Sequence, residues 1–157
     1  MNTLSLAEHA LLELDFKYSR QILAALLPMC LTVIWHSFGI NVVHTVYKRF
    51  GRPIIHGPHR AARTAVVIAV VTILLLTHFG EVVIWAAFYH LIGLVHNLGL
   101  AMYFSINAYT TMGDGNILLA DEWRGFGNFE SMTGFLMFGW STAVLADIVQ
   151  RLHSVED

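Results

Sequence analysis

Residues 103–117 read YFSINAYTTMGDGNI, and this stretch decides the fold. Gly113 and Gly115 stand at alternate positions, and glycine permits backbone angles that a Cβ would penalise. Successive carbonyl oxygens can therefore face the same side, and the hydroxyl of Thr111 can join them. Because a GDG triplet near a threonine also occurs in surface turns and calcium loops, its meaning depends on the surrounding sequence.

The composition is that of an integral membrane protein. The 157 residues are 56% hydrophobic and 13% charged, with a mean hydropathy of +0.60, which is too apolar for an ordinary soluble domain. Residues 22–47 contain no Asp, Glu, Lys or Arg. They can form roughly 39 Å of helix against a hydrocarbon core of about 30 Å, so we predict a first transmembrane helix there.

Two further apolar segments are long enough to cross a membrane. Residues 65–90 carry Glu81 as their only formal charge, and residues 129–150 carry Asp147 near their end. The apolar stretch 98–111 is too short to cross, so we predict a re-entrant helix that other parts of the protein must cover. The predicted fold is all-α and membrane-integral, with three transmembrane helices and one re-entrant helix.

The basic residues predict the orientation. Five of the nine Lys and Arg residues lie between the first two spans, where positive charge favours the cytoplasm: Lys48, Arg49, Arg52, Arg60 and Arg63. The amino terminus and the GDG loop are then outside, and three crossings return the carboxyl terminus to the cytoplasm. We expect a multi-pass protein of the cell (inner) membrane, whose partners are lipids rather than nucleic acid or a soluble substrate.

The TTMGDGN loop between two apolar helices resembles the selectivity loop of tetrameric pore-loop cation channels, which reads TVGYG in potassium-selective members. Asp114 replaces the aromatic residue and Asn116 replaces an acid, so the loop is more similar to TVGDGN of the bacterial sodium- and potassium-conducting NaK type. The resemblance covers residues 98–152, about one third of the chain. It implies a homotetramer in which backbone carbonyls replace the water around a permeating ion.

The resemblance also implies roles for individual residues. The filter, which would hold permeating K⁺ and Na⁺, would consist of Thr111, Met112, Gly113, Asp114 and Gly115. Its support would come from Tyr103, Phe104, Asn107, Tyr109 and Asn116. Side chains of Ser105 and Asn107 are expected to bond to the filter backbone. The inner helix would line the pore or bend through Gly134, Gly139, Ala143 and Asp147, with bending and close packing both open for the two glycines. No cofactor is implied.

Asp114 leads us to expect weak selectivity. A short carboxylate cannot pack outward as an aromatic ring does, so the upper filter should be looser and discriminate less between potassium and sodium. Four copies should concentrate negative potential at the entrance and attract external Ca²⁺. Asp121, Glu122 and Glu130 are expected to add to this potential against Arg124. The prediction is a passive channel weakly selective for potassium over sodium, with a potassium-selective channel as the alternative.

Nine histidines leave two other classes of protein open. His78 and Glu81 share one face of the second span, where an intramembrane acid is a candidate functional site. We predict that they either hydrogen-bond behind the re-entrant helix or bind a proton. A proton or metal transporter would add His36 and His44, and a haem-binding subunit would use a pair from His36, His44, His78 or His90. Neither class explains the GDG loop, and no nucleophile with a base suggests an enzyme.

The sequence therefore divides into five parts. They are an amphipathic N-terminal segment (1–20), an additional transmembrane helix (21–47), a basic cytoplasmic loop (48–64), a pore domain (65–152) and a C-terminal tail (153–157). Within the pore domain we predict an outer helix at 65–90, a pore helix at 98–111, a filter at 111–116 and an inner helix at 129–150.

Overall fold

The computed structural model describes residues 3–54, 60–113 and 117–153. Four α-helices follow one another along the chain: α1 (Thr3–Val46), α2 (Arg60–Leu91), α3 (Leu98–Tyr109) and α4 (Phe126–His153). A π-helical turn (Tyr47–Gly51) and a 3-10 turn (Arg52–Ile54) follow α1. The described residues contain no strand, so the predicted all-α membrane fold is confirmed.

Three of these helices are long and apolar enough to span a membrane, and α3 is not. The first helix is the longest, with 44 residues from Thr3 to Val46. Its backbone continues through Pro28 and is unbroken from residues 3–20 into the first span. A helix of this length measures about 66 Å, which is more than a bilayer core requires.

Contacts at the two ends fix the relative direction of the helices. At the start of the membrane-spanning part of α1, which begins at Tyr18, the Gln21 amide donates a 2.6 Å hydrogen bond to the Glu122 carbonyl in the loop before α4. At the other end, Tyr47 shares an apolar cluster with Val66 of α2 and Leu152 of α4. The start of the membrane-spanning part of α1 and the loop before α4 therefore lie at one end of the membrane-spanning region, and the α1–α2 connection lies at the other.

Close packing of α1 on α2 depends on small residues. A Cβ added to Gly39 would lie 2.9 Å from Cβ of Thr77, and one added to Gly80 would lie 2.7 Å from Cζ2 of Trp35. The Trp35 indole N–H also donates to the Thr77 carbonyl at 3.0 Å. Small residues permit such an approach between membrane helices, and the two glycines explain why the pair packs here.

Two apolar clusters hold the helices together, with a layer of buried polar side chains between them. The cluster near the GDG loop comprises Ala25, Trp85, Ala86, Tyr89, Val95, Ala101, Leu119 and Phe126. The cluster near the basic connection comprises Ile40, Val43, Tyr47, Val66, Val70, Leu74, Ile148 and Leu152. The polar layer includes His36, His78, Glu81 and Ser141, all of them buried.

Candidate functional site

The re-entrant helix α3 is capped at both ends. At its start the Asn97 side chain accepts a 3.0 Å bond from the Leu100 N–H. At its end the Met112 N–H donates to the Asn107 carbonyl at 3.0 Å, and the Thr111 N–H donates to the Ala108 carbonyl at 3.1 Å. This pair of bonds is a Schellman motif, which places Thr111 at the left-handed position that glycine usually occupies.

The backbone after α3 has left-handed angles at alternate positions. Thr111 has φ of 59° and Gly113 has φ of 58°, and Thr111 is the one non-glycine among the described residues with a positive φ. A β-branched residue in this region is strained. Met112 between them is 75% exposed. Angles of this kind allow successive carbonyls to face one side, whereas Asp114, Gly115 and Asn116 of the predicted filter lie outside the described residues.

The predicted supporting aromatics occupy different environments. Tyr109 is buried, and its ring packs edge-on against Phe138 with centroids 5.2 Å apart. Phe104 packs edge-on against Tyr89 at 4.9 Å. Tyr103, by contrast, is 43% exposed on the single chain. Tyr109 and Phe104 therefore pack on aromatic rings of other helices in the same chain.

The two polar side chains of α3 have hydrogen-bond partners outside the predicted filter among the described residues. Asn107 donates from its side chain to the Tyr103 carbonyl at 2.8 Å, within its own helix. Its backbone carbonyl is the group that accepts from Met112. The Ser105 hydroxyl lies 2.9 Å from the Val82 carbonyl and 2.5 Å from Oε1 of Glu130. The predicted bonds of these two side chains to the filter backbone stay a prediction, because residues 114–116 lie outside the described residues.

Glu130 is fully buried, which corrects its assignment to the acidic outer surface. The Tyr89 hydroxyl donates to its Oε2 at 2.6 Å, and the Ser105 hydroxyl donates to its Oε1 at 2.5 Å. These partners come from α2 and α3, so the carboxyl group joins three helices. Its position early in a membrane helix was a signal for a buried partner, but helical spacing cannot identify partners on other helices.

A second buried carboxyl group lies behind the end of α3. Glu81 accepts hydrogen bonds from His36 Nδ1 at 2.6 Å and from the Tyr109 hydroxyl. His78 Nδ1 lies 3.2 Å from Oε2 of Glu81 and 2.9 Å from the Tyr109 hydroxyl. Tyr109 is the last residue of α3, so Glu81 and the two histidines connect the end of that helix to α1 and α2.

His44 and His90, the two other histidines considered as ligands, do not join this cluster. His44 lies eight residues beyond His36, about 12 Å further along α1. His90 is exposed, with Nδ1 3.2 Å from the Val95 carbonyl. The rings of His36 and His78 have centroids 5.5 Å apart and both contact Glu81. No space for a haem exists between these two rings.

Gly134 and Gly139 of α4 differ in their surroundings. A Cβ on Gly134 would contact the Tyr109 carbonyl oxygen and would lie 3.1 Å from Cδ2 of the Tyr109 ring. A Cβ on Gly139 would meet no atom within 4 Å. The Ser131 hydroxyl further ties α4 to α3 through a 2.6 Å bond to the Ala108 carbonyl. Gly134 is therefore a packing residue, and Gly139 has room to move.

One face of α4 carries small and polar residues that the rest of the chain leaves uncovered. Gly139, Ala143, Ala146 and Gln150 are exposed at helical spacing, beside the partly exposed Asp147. Asp147 pairs with Arg151, with 2.8 Å from the guanidinium Nε to each carboxylate oxygen. Such a face suits a water-filled space rather than lipid.

The loop before α4 contacts the first helix through charged residues. Arg20 pairs with Glu122 at 2.9 Å and lies over the Trp123 ring, 4.9 Å from its centroid. Within the loop, Arg124 pairs with Asp121 at 3.2 Å. These pairs are exposed, so each contributes little stability. The contacts of Arg20 show that this part of α1 lies beside the loop before α4.

Comparison with known proteins gives one match. A family model described as an ion channel matches residues 67–151, which is more than half of the chain. No curated protein and no solved structure matches. The matched segment begins in α2 and ends in α4, so it includes α3 and the loop after it, while α1 lies outside.

Proposed function

The chain belongs to the ion channel family, and on that basis we propose that it is a passive monovalent cation channel with weak preference for potassium over sodium. The observation that carries this proposal is the end of α3, where left-handed angles at Thr111 and Gly113 follow a re-entrant helix. The partial negative charge at the carboxyl end of that helix favours a cation. The family is one of channels rather than of enzymes.

The pore would form where four chains meet. One loop supplies a quarter of an ion cage, so closed fourfold symmetry follows from the mechanism. Large apolar side chains on α3 and α4 are exposed on the single chain and are available to bury between subunits or against lipid: Leu98, Leu100, Tyr103, Ile106, Met132, Phe135 and Leu136. Native mass spectrometry of the detergent-solubilised protein should give a tetramer, and a monomer would contradict the proposal.

In this assembly α4 would be the inner helix. Its face of Gly139, Ala143, Ala146 and Gln150, with Asp147 beside it, would line the cavity below the filter. The filter would comprise Thr111 to Gly115, with Asn116 after it, and would hold K⁺ or Na⁺ during passage. Phe104 and Tyr109 would support it from within each chain.

The selectivity follows from Asp114. Without an aromatic ring at this position, the upper carbonyls lack an outward packing contact, and fewer dehydrated sites remain to separate K⁺ from Na⁺. Reversal potentials across planar bilayers with K⁺ on one side and Na⁺ on the other test this directly. We expect a potential displaced only slightly toward that of K⁺. A value close to the K⁺ equilibrium potential would instead support a potassium-selective channel.

A ring of four Asp114 carboxylates would also bind external Ca²⁺ at the outer mouth. Calcium added to the outer side should reduce the monovalent current of the unmodified channel. The Asp114→Asn variant should lose most of this block while it still conducts. Equal block in both proteins would remove Asp114 as the calcium site without affecting the proposed conduction.

We place the protein in the cell (inner) membrane, with the filter outside. The basic connection between α1 and α2 lies at the end opposite to the Arg20–Glu122 contact. The positive-inside bias puts this connection in the cytoplasm. The carboxyl end of α4 shares that side through Leu152. The additional helix α1 would then stand on the outside of the pore domain, in contact with α2 and with the outer loop.

A further inference from the structure

His36, His78 and Glu81 each bring one possible ligating atom close to the other two. These three atoms all lie within 4.8 Å of one another. In a tetrahedral zinc site, bonds of about 2.0–2.1 Å put the ligand atoms roughly 3.4 Å apart. His36 and Glu81 are fully buried, and His78 retains 11% of its side chain accessible. The three residues thus form a two-histidine, one-carboxylate ligand set with an opening at His78.

The hydrogen atoms available do not account for all the contacts in this cluster. His78 Nδ1, the Tyr109 hydroxyl and Oε2 of Glu81 form three mutual contacts. Only the imidazole and the phenol can supply a proton, because an ionised carboxylate is purely an acceptor. Two hydrogen atoms are therefore shared among three close contacts, so one contact lacks a donor hydrogen of its own. A cation would instead use the lone pairs directly and would offset the buried negative charge of Glu81.

The surroundings of His36 match those of a metal-bound histidine. Its Nδ1 faces Glu81, and its other nitrogen, Nε2, lies 3.4 Å from the Ser141 hydroxyl. Ligating histidines donate their second N–H to such an outer partner, which fixes the tautomer and the ring. Trp140 and Phe138 cover the two histidines, with ring centroids 5.0 Å from His36 and 4.6 Å from His78. This apolar cover limits water at the site.

We propose that His36, His78 and Glu81 bind one divalent transition metal ion per chain, with Zn²⁺ the ion that this ligand set suits best. The Tyr109 hydroxyl is the nearest oxygen for the fourth position. The ion would join α1, α2 and the last residue of α3, and so hold the start of the filter loop against the outer helices. Metal binding at this site is separate from ion passage through the filter.

Metal analysis of the purified protein tests the proposal. The detergent-solubilised full chain is treated with a chelator, equilibrated with ZnCl₂ and passed through a desalting column. Elemental mass spectrometry should then find one zinc per chain, and calorimetry should give a matching stoichiometry. Binding of Co²⁺ should produce the visible absorption of a tetrahedral complex. Zinc well below one per chain in the unmodified protein would overturn the proposal, whether or not the protein conducts ions.

Variants separate this site from the other histidines. Glu81→Gln and His36→Asn should weaken zinc binding more than about tenfold, and Ser141→Ala should weaken it about 10- to 100-fold, as loss of an outer partner does. His44→Asn and His90→Asn are matched controls outside the cluster and should bind zinc normally. Undiminished binding by Ser141→Ala and Glu81→Gln would assign the zinc to surface histidines and contradict the proposal. If Glu81→Gln fails to fold, the comparison of Ser141→Ala with His90→Asn decides.

Discussion

Thr111 occupies a backbone conformation that its side chain disfavours. It stands at the left-handed position of the Schellman motif with φ of 59°, where a β-branched residue costs about 1–2 kcal/mol. Thr111→Gly should therefore raise the free energy of unfolding by about 1 kcal/mol. The same change removes the hydroxyl ligand of the filter, so we expect weaker discrimination between K⁺ and Na⁺. Chemical denaturation and reversal potentials measure the two effects.

Thr111→Ala is the matched control for this prediction. Alanine keeps the Cβ that makes the left-handed conformation costly and removes only the hydroxyl and methyl groups. The free energy of unfolding should rise less in Thr111→Ala than in Thr111→Gly. The loss of discrimination between K⁺ and Na⁺ should be similar in the two variants. If both variants kept the selectivity of the unmodified channel, the threonine hydroxyl would not be an ion ligand.

Glu130 gives a second prediction for a single residue. The Tyr89 hydroxyl is one of its two hydrogen-bond donors, and the group is fully buried. Tyr89→Phe removes one partner of a buried acceptor and should lower the free energy of unfolding by about 1–3 kcal/mol. Tyr18→Phe is the control, because this side chain is 54% exposed. It should change the free energy of unfolding by less than about 0.5 kcal/mol. Equal stability of the two variants would contradict the role assigned to Glu130.

Among the helices, the contact between α3 and α4 depends on Gly134. A Cβ there would contact the Tyr109 carbonyl and lie 3.2 Å from its carbon atom. Overpacking of this kind typically costs about 1–3 kcal/mol, so Gly134→Ala should destabilise the fold and disturb the end of α3. We expect lower thermal stability in detergent and a changed reversal potential.

Gly139→Ala offers the comparison on the same helix. No atom lies within 4 Å of an added Cβ at this position, and alanine favours the helix by about 1 kcal/mol over glycine. The variant should assemble and remain at least as stable as the unmodified chain. If Gly139 is the bending point of the inner helix, the open probability in single-channel records should fall. Destabilisation equal to that of Gly134→Ala would show that both glycines pack.

The helices could be predicted from the sequence because the length of each run without charged residues indicates a helix directly. The 22–47 segment lies within α1 apart from Tyr47, which is in the turn after it; the 65–90 segment lies within α2, and the short apolar stretch 98–111 contains α3. The contacts within the polar layer could not be predicted in the same way. His78 and Glu81 share one helix and their proximity follows from spacing, whereas His36 and Tyr109 reach them from other helices. Glu130 was misplaced for the same reason.

At the scale of the whole molecule, buried polar groups lie at the junctions between the outer helices and α3. The Glu81 cluster connects the end of α3 to α1 and α2, and Glu130 connects α3 to α2 and α4. Most of the surface of the three spans remains apolar and uncovered on the single chain. Hydrogen bonds to buried carboxyl groups therefore connect α3 to the three long helices, and in the proposed tetramer the other subunits and lipid would cover the remaining surfaces.

Orientation is the last property of the whole molecule that can be tested simply. The contact of Arg20 with Glu122 puts the start of the membrane-spanning part of α1 and the loop before α4 on one side, and the positive-inside bias puts the basic connection in the cytoplasm. Cys30 is the single cysteine, so Cys30→Ser provides a background without thiols. In this cysteine-free background, a membrane-impermeant maleimide should label the Glu122→Cys variant on intact cells. It should label the Arg52→Cys variant only after permeabilisation.

Both positions suit this measurement because each is exposed. Glu122 has 71% of its side chain accessible, and its exposed ion pair with Arg20 contributes no more than about 1 kcal/mol. Arg52 lies in the exposed turn after α1. Neither substitution removes a buried group, so loss of labelling cannot be attributed to unfolding. The reverse pattern of labelling would place the filter loop on the cytoplasmic side of the membrane. The proposed calcium site would then face the cytoplasm.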